Sequence, residues 1–255
     1  MRFLSSQFVR NTAHLAGLAA LLVGLPGCQT ISGVSSSAQV RVIDASPDAP
    51  GLDIYQGGLA MAYNLGFGTV TTYVGVSPGT STITADTTDT KQVLTTASAT
   101  YAASKQYTVL IGNVAANLQQ TVLIDQSLPA PSGEISLRVL DQGTRYTGGV
   151  DVYLVPSGTE LSLAAPILTN VLFGSNSGYI NVPAGTYSIV LLPTGTVPVD
   201  ASGTTLATKP IYFGTATAYA VGAARTILLL DNQVLANPGF QVVVADDYDS
   251  PATAG

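Results

Sequence analysis

Val40-Arg41-Val42-Ile43-Asp44 returns about 100 residues later as Leu137-Arg138-Val139-Leu140-Asp141, and further segments return after it in the same order. Leu52-Asp53-Ile54-Tyr55 is echoed by Val150-Asp151-Val152-Tyr153. Phe67-Gly68, Tyr73 and Val76-Ser77-Pro78-Gly79-Thr80 are echoed by Phe173-Gly174, Tyr179 and Val182-Pro183-Ala184-Gly185-Thr186. Tyr107-Thr108-Val109 matches Tyr219-Ala220-Val221, and Val122-Leu123-Ile124-Asp125 matches Leu228-Leu229-Leu230-Asp231. The spacing varies while the order holds, so the chain reads as two copies of one module that differ by loop insertions. Any fold assigned to one half must also suit the other.

Within each half the apolar residues alternate with polar ones, at Val40/Val42, Leu52/Ile54, Val70/Val74/Val76 and Tyr107/Val109/Ile111, then at Val150/Val152/Leu154, Ile180/Val182 and Tyr187/Ile189/Leu191. A period of two marks strands with one face buried and one face wet. Turn formers punctuate the runs: Ser46-Pro47-Asp48, Gly57-Gly58, Pro78-Gly79, Pro156-Ser157-Gly158 and Ala184-Gly185. No helical stripe follows residue 28. The expected class is all-β, as two tandem immunoglobulin-like antiparallel β-sandwich modules over residues 38–127 and 134–245. Residues 133–141 are echoed once more by 239–247. A lone strand holding three consecutive valines needs a partner, so 240–245 is expected to pair within the second sandwich. Residues 246–255 are expected to form a loose tail. The Pro-containing 127–133 linker reads as short and stiff, and the Ser/Gly-rich 28–37 segment as a flexible tether.

The amino terminus reads differently. Arg2 and Arg10 precede an uncharged apolar stretch from Leu15 to Leu25, too short to span a bilayer and laid out like a secretory signal. Leu25-Pro26-Gly27-Cys28 then resembles the bacterial lipobox, with Pro26 departing from the usual pattern. That resemblance implies cleavage after residue 27, lipidation of Cys28 and attachment to a membrane, the outer one in a Gram-negative cell given Gln29. It also accounts for a single cysteine in a compartment that permits disulfides. Several acyl chains make a durable anchor.

Val40 to Pro50, then Leu52-Asp53-Ile54-Tyr55, Phe67-Gly68, Val76-Ser77-Pro78-Gly79-Thr80 and Tyr107-Thr108-Val109 together resemble the DUF4397 family of bacterial surface and secreted proteins. The match is strongest over residues 38–126. Asp44 stands where that family commonly has His, and the second half carries residues 142–149 in place of the Ser-Pro-Asp-Ala-Pro segment. The resemblance implies fold and location and no assigned activity.

The chemistry available is narrow. The one His and the one Cys are His14 and Cys28, so the portion after the anchor lacks triad catalysis and the usual zinc ligands. Gly174-Ser175-Asn176-Ser177-Gly178 misses the nucleophile-elbow spacing. The charge of −6 for the whole chain becomes more acidic once Arg2 and Arg10 leave, which argues against nucleic acid. Asp44, Asp48 and Asp53 flank a Pro-rich turn but match no calcium-loop spacing. No cofactor or metal is expected. Alternation places Asp53, Tyr55, Tyr73, Asp151, Tyr153 and Tyr179 outward, a candidate ligand face able to stack and hydrogen-bond a sugar. A groove floored by Tyr73 or Tyr179 beside Asp53 or Asp151 would favour that use. Tyr107 and Tyr219 read as core residues. The reading is a non-enzymatic, lipid-anchored envelope protein acting in adhesion, interaction or envelope structure, with an envelope protein or glycan as partner. The alternative is a carbohydrate-binding lipoprotein.

Overall fold

Ile54 and Val40 each sit between polar neighbours, and in the computed structural model both lie at zero exposure between two sheets. The structure describes residues 36–196, 198, 209–234 and 239–249. The lipobox, Cys28 and residues 250–255 lie outside the described residues. The strands are β1 (Ala38–Asp44), β2 (Leu52–Gln56), β3 (Leu59–Leu65), β4 (Val74–Val76), β5 (Gly79–Thr87), β6 (Val93–Tyr101), β7 (Gln106–Gly112) and β8 (Gln119–Asp125). They form two four-stranded sheets, ordered β4-β1-β7-β8 and β3-β2-β5-β6. Val40, Val109 and Ile111 from the first meet Leu52, Ile83 and Ala85 from the second in the core. No helix among the described residues is long and apolar enough to cross a membrane.

A second sandwich follows, from β9 (Glu134–Asp141), β10 (Val150–Pro156), β11 (Pro166–Val171), β12 (Asn176–Pro183), β13 (Gly185–Pro193), β14 (Tyr212–Phe213), β15 (Thr217–Tyr219), β16 (Ala224–Asp231) and β17 (Phe240–Tyr248). Its sheets run β12-β9-β16-β17 and β11-β10-β13-β14, with β15 also on β13. The all-β sandwich class is as expected, but the strands are not all antiparallel. β1 pairs β7 in parallel, as β9 does β16. The four-plus-four order also differs from the immunoglobulin constant arrangement.

Registry corrects the end of the repeat. Arg41 stands opposite Thr108, and Arg138 opposite Thr226. β7 therefore corresponds to β16 and not to 219–221, and β8 corresponds to β17 and not to 228–231. Tyr219 closes β15 opposite Gly185, where Tyr101 stands opposite Gly79. Val221 lies past that strand and is exposed. Val74, expected inward, is exposed on the short edge strand β4. Composition misleads here because a short apolar tetrad looks alike in a central and an edge strand.

Two boundary expectations also change. Residues 246–248, assigned to a loose tail, continue β17, and Asp247 is buried. Ser36 and Ser37, assigned to the flexible tether, hydrogen-bond Ser104 through Oγ at 2.7 Å and the carbonyl at 3.2 Å. The 127–133 linker docks on the second sandwich, where Ala130 N–H donates to the Gly222 carbonyl at 2.9 Å.

Candidate functional site

β1, β7, β9 and β16 are buried on both faces, which one sandwich core cannot explain. Their second faces meet each other. Ile43, Ala45 and Leu110 of the first sandwich pack with Leu140, Leu228, Leu230 and Ala245 of the second, flanked by Phe67, Val70, Leu123 and Val243.

Inside this apolar contact lies a buried ionic cluster whose parts exchange reciprocally. Arg41 donates through Nε to Thr108 Oγ1 at 2.9 Å, through one amino group to the Asp246 carbonyl at 2.8 Å, and through the other to Asp247 of the second sandwich. Arg138 mirrors it, donating to Thr226 Oγ1 at 3.1 Å, to the Ile124 carbonyl at 3.2 Å, and to Asp125 of the first sandwich at 2.6 Å. Asp125 also accepts from Thr108 and Tyr73 at 2.6 and 2.7 Å. Asp247 accepts from Thr226 and Tyr179 at 2.7 and 2.8 Å. Each tyrosine ring lies under an arginine, with the guanidinium carbon 4.8 Å from the ring centre in both.

Full pairing is what makes buried charge tolerable. Burial, then the facing aspartate, pushes both Tyr73 and Tyr179 well above the usual phenol range, so both remain O–H donors. The cluster is asymmetric at its rim. Gln126 covers the Arg138 side, donating its N–H to the Tyr179 oxygen at 3.1 Å. The Arg41 side opens on a cleft of about 390 Å³ lined by Thr71, Thr72, Tyr73, Val244 and Asp246.

The six residues expected to share a ligand face are therefore divided. Tyr73 and Tyr179 floor no groove beside Asp53 or Asp151, because they serve the contact between sandwiches. Asp53 and Asp151 are buried at β-bulges. Asp53 accepts the N–H of Asn64 at 2.9 Å and the hydroxyl of Thr88 at 2.8 Å, and pairs with Lys91. Asp151 accepts the N–H of Asn170 at 2.9 Å and the hydroxyl of Thr194 at 3.0 Å. Both asparagines hold positive φ, 49° and 53°, a conformation Asn tolerates better than most residues. Their side-chain oxygens lie where a Cβ on Gly51 or Gly149 would stand. The repeated Asp is thus a bulge anchor. Lys91 holds the Asp53 carboxyl at about 2, helped by the Asn64 amide.

Tyr153 is 3% exposed beneath Leu161 and Ala164. Tyr55 is half-buried and meets Tyr63 edge-on, ring centres 6.3 Å apart. Tyr63 and Lys91 escaped the alternation argument because β3 is bulged and Lys91 sits in a turn. Tyr107 and Tyr219 are buried as expected. Asp48 accepts the Ala115 amide at 2.7 Å, Asp44 accepts that of Ser46 at 2.9 Å, and no group of three metal-ligating side chains occurs among the described residues.

A DUF4397 domain, a domain of unknown function, lies at residues 38–153. The matched span covers the first sandwich and enters β10 of the second. No curated protein matches the chain. Among solved structures, the chain is similar to a family CBM26 module from Eubacterium rectale in complex with maltoheptaose, at 10% identity and a TM-score of 0.24, covering 84% of this chain and 98% of that one. A candidate cell adhesion protein from Bacteroides fragilis is similar at 8% identity and a TM-score of 0.21, over 85% and 100% of the two chains.

Proposed function

We propose that this is a lipid-anchored, non-enzymatic protein of the bacterial envelope, in which two DUF4397-like sandwiches form one stiff unit for interaction at the cell surface. The second sandwich is proposed as a divergent copy of the first. The observation that carries the reading is the ionic cluster. Arg41, Arg138, Asp125 and Asp247, all buried, saturate one another between the sandwiches instead of facing a substrate, so they serve rigidity. A stiff pair of modules behind a tether presents its outer faces without losing order on contact, which limits the entropic cost of binding.

The anchor is the part most directly tested. Cys28→Ser is expected to leave the leader uncut and to abolish incorporation of labelled palmitate, read by gel mobility and autoradiography of membrane fractions. Normal processing and labelling of that variant would exclude the lipoprotein reading.

A further inference from the structure

On the outer side of the β3-β2-β5-β6 sheet, β5 and β6 place hydroxyls in register. Thr80 faces Thr100, Thr82 faces Ser98, and Thr84 faces Thr96. Two of these rungs are closed by hydrogen bonds, 2.9 Å for Thr80–Thr100 and 2.8 Å for Thr82–Ser98. A hydroxyl offers one donor and two lone pairs, so each closed rung still presents one O–H and three lone pairs outward. Rungs repeat about every 7 Å along the strands. Beside them stand Tyr55, opposite Thr84, and Tyr63, which is 67% exposed.

The corresponding face of the second sandwich shows what this surface does when it is closed. Tyr55 and Thr84 correspond to Tyr153 and Val190, which are paired in the same way, and Asp86 corresponds to Leu192. There Tyr153, Val155, Val190 and Leu192 form an apolar patch that the chain covers with Leu161 and Ala164. In the first sandwich the β2–β3 connection is only Gly57-Gly58, too short to fold over the sheet, and the surface is hydroxyl-lined. The same face is thus sealed by the chain in one sandwich and left open and polar in the other.

We propose that this open face binds a neutral, extended polysaccharide, with Tyr63 and Tyr55 as the stacking surface and the Thr–Ser rungs as hydroxyl contacts. The proposal rests on the reading of a surface interaction module and names its ligand class. Neutrality follows from charge: Lys91, beside both tyrosines, is already paired with Asp53, leaving it no spare charge for an anionic polymer. Length follows from shape. An open sheet face encloses nothing, so affinity must accumulate over repeated weak contacts along a polymer.

The test is depletion of the detergent-solubilised full chain by cellulose, chitin, insoluble mannan and retrograded amylose, with insoluble pectate as the acidic control. At least one neutral polymer should deplete the protein. Tyr63→Ala should weaken that binding tenfold or more, and the Thr82→Val/Ser98→Ala pair severalfold. Phe213→Ala, an exposed aromatic on the second sandwich, should change nothing, and all variants should melt like the parent. No depletion by any neutral polymer, depletion by pectate alone, or full binding by Tyr63→Ala would each overturn the proposal. The Cys28→Ser fractionation reads the anchored-module proposal separately, so a correctly anchored chain that ignores every polymer removes the ligand class alone.

Discussion

Replacing Asp247 by Ala, close to the carboxyl terminus, is expected to cost the folded chain roughly 3–5 kcal/mol, the usual penalty for removing one partner of a buried ion pair. Asp247 accepts hydrogen bonds from Tyr179 and Thr226 of its own sandwich and pairs with Arg41 of the other. Its loss leaves a guanidinium with 2% side-chain exposure and only Asp125, at 3.9 Å, as a carboxylate neighbour. Against a typical total of about 5–15 kcal/mol the effect is large. The mirrored change, Asp125→Ala, should cost a similar amount by freeing Arg138. Arg41→Ala combined with Asp247→Ala should cost clearly less than the two single losses added together, because the second deletion removes the stranded charge. Urea denaturation midpoints of the parent, the two single variants and the double variant check this. Additive losses would show that the pair is not coupled.

Asp44→Asn is expected to stabilise the protein at alkaline pH. Asp44 is fully buried at the end of β1, its Oδ1 accepts the Ser46 amide, and its Oδ2 has no hydrogen-bond partner among the described residues. Burial pushes its carboxyl up to about 7, against an ordinary value of 3.8. The folded chain therefore holds a proton that the unfolded chain releases near pH 4. Stability from this site is fully present below about pH 4, falls as pH rises, and is gone above about pH 7. Each tenfold change in proton affinity is worth about 1.4 kcal/mol, so the ionised group costs on the order of 4 kcal/mol at pH 8. Asn keeps the Ser46 contact without the charge, so it should gain most of that at pH 8 and little at pH 4. Asp141, raised to about 6 by burial, adds a smaller slope of the same sign. Asp53 acts oppositely: with its carboxyl held at about 2, its contribution exists above pH 4 and is lost as pH falls toward 2. Melting temperatures of parent and Asp44→Asn at pH 4 and 8 check the prediction, and equal changes at both values would refute it.

Much of the fold was legible because alternation and turn chemistry are local. Val40/Val42 and Leu52/Ile54 declared their inward faces, and Gly57-Gly58 its hairpin. The contact between sandwiches was harder, though a signal existed. Ile227-Leu228-Leu229-Leu230 is apolar at both parities, the mark of a strand covered on two sides. Arg41 and Arg138 were visible as an echo, but alternation alone placed them toward water. Nothing local tells an exposed arginine from one whose partner lies two hundred residues away. Tyr73 and Tyr179 failed for the same reason: outward from their own sandwich proved to be inward to the pair. Asp53 and Asp151 were noticed for the right repetition and given the wrong task, because the bulges that need them depend on Asn64 and Asn170 in neighbouring strands.

Calorimetry tests the central claim, that reciprocal Arg–Asp exchange makes one unit of two sandwiches. The parent chain should unfold in a single cooperative transition, and Arg41→Ala should move that whole transition downward. Two separable transitions in the parent, with Arg41→Ala shifting only one of them, would contradict it.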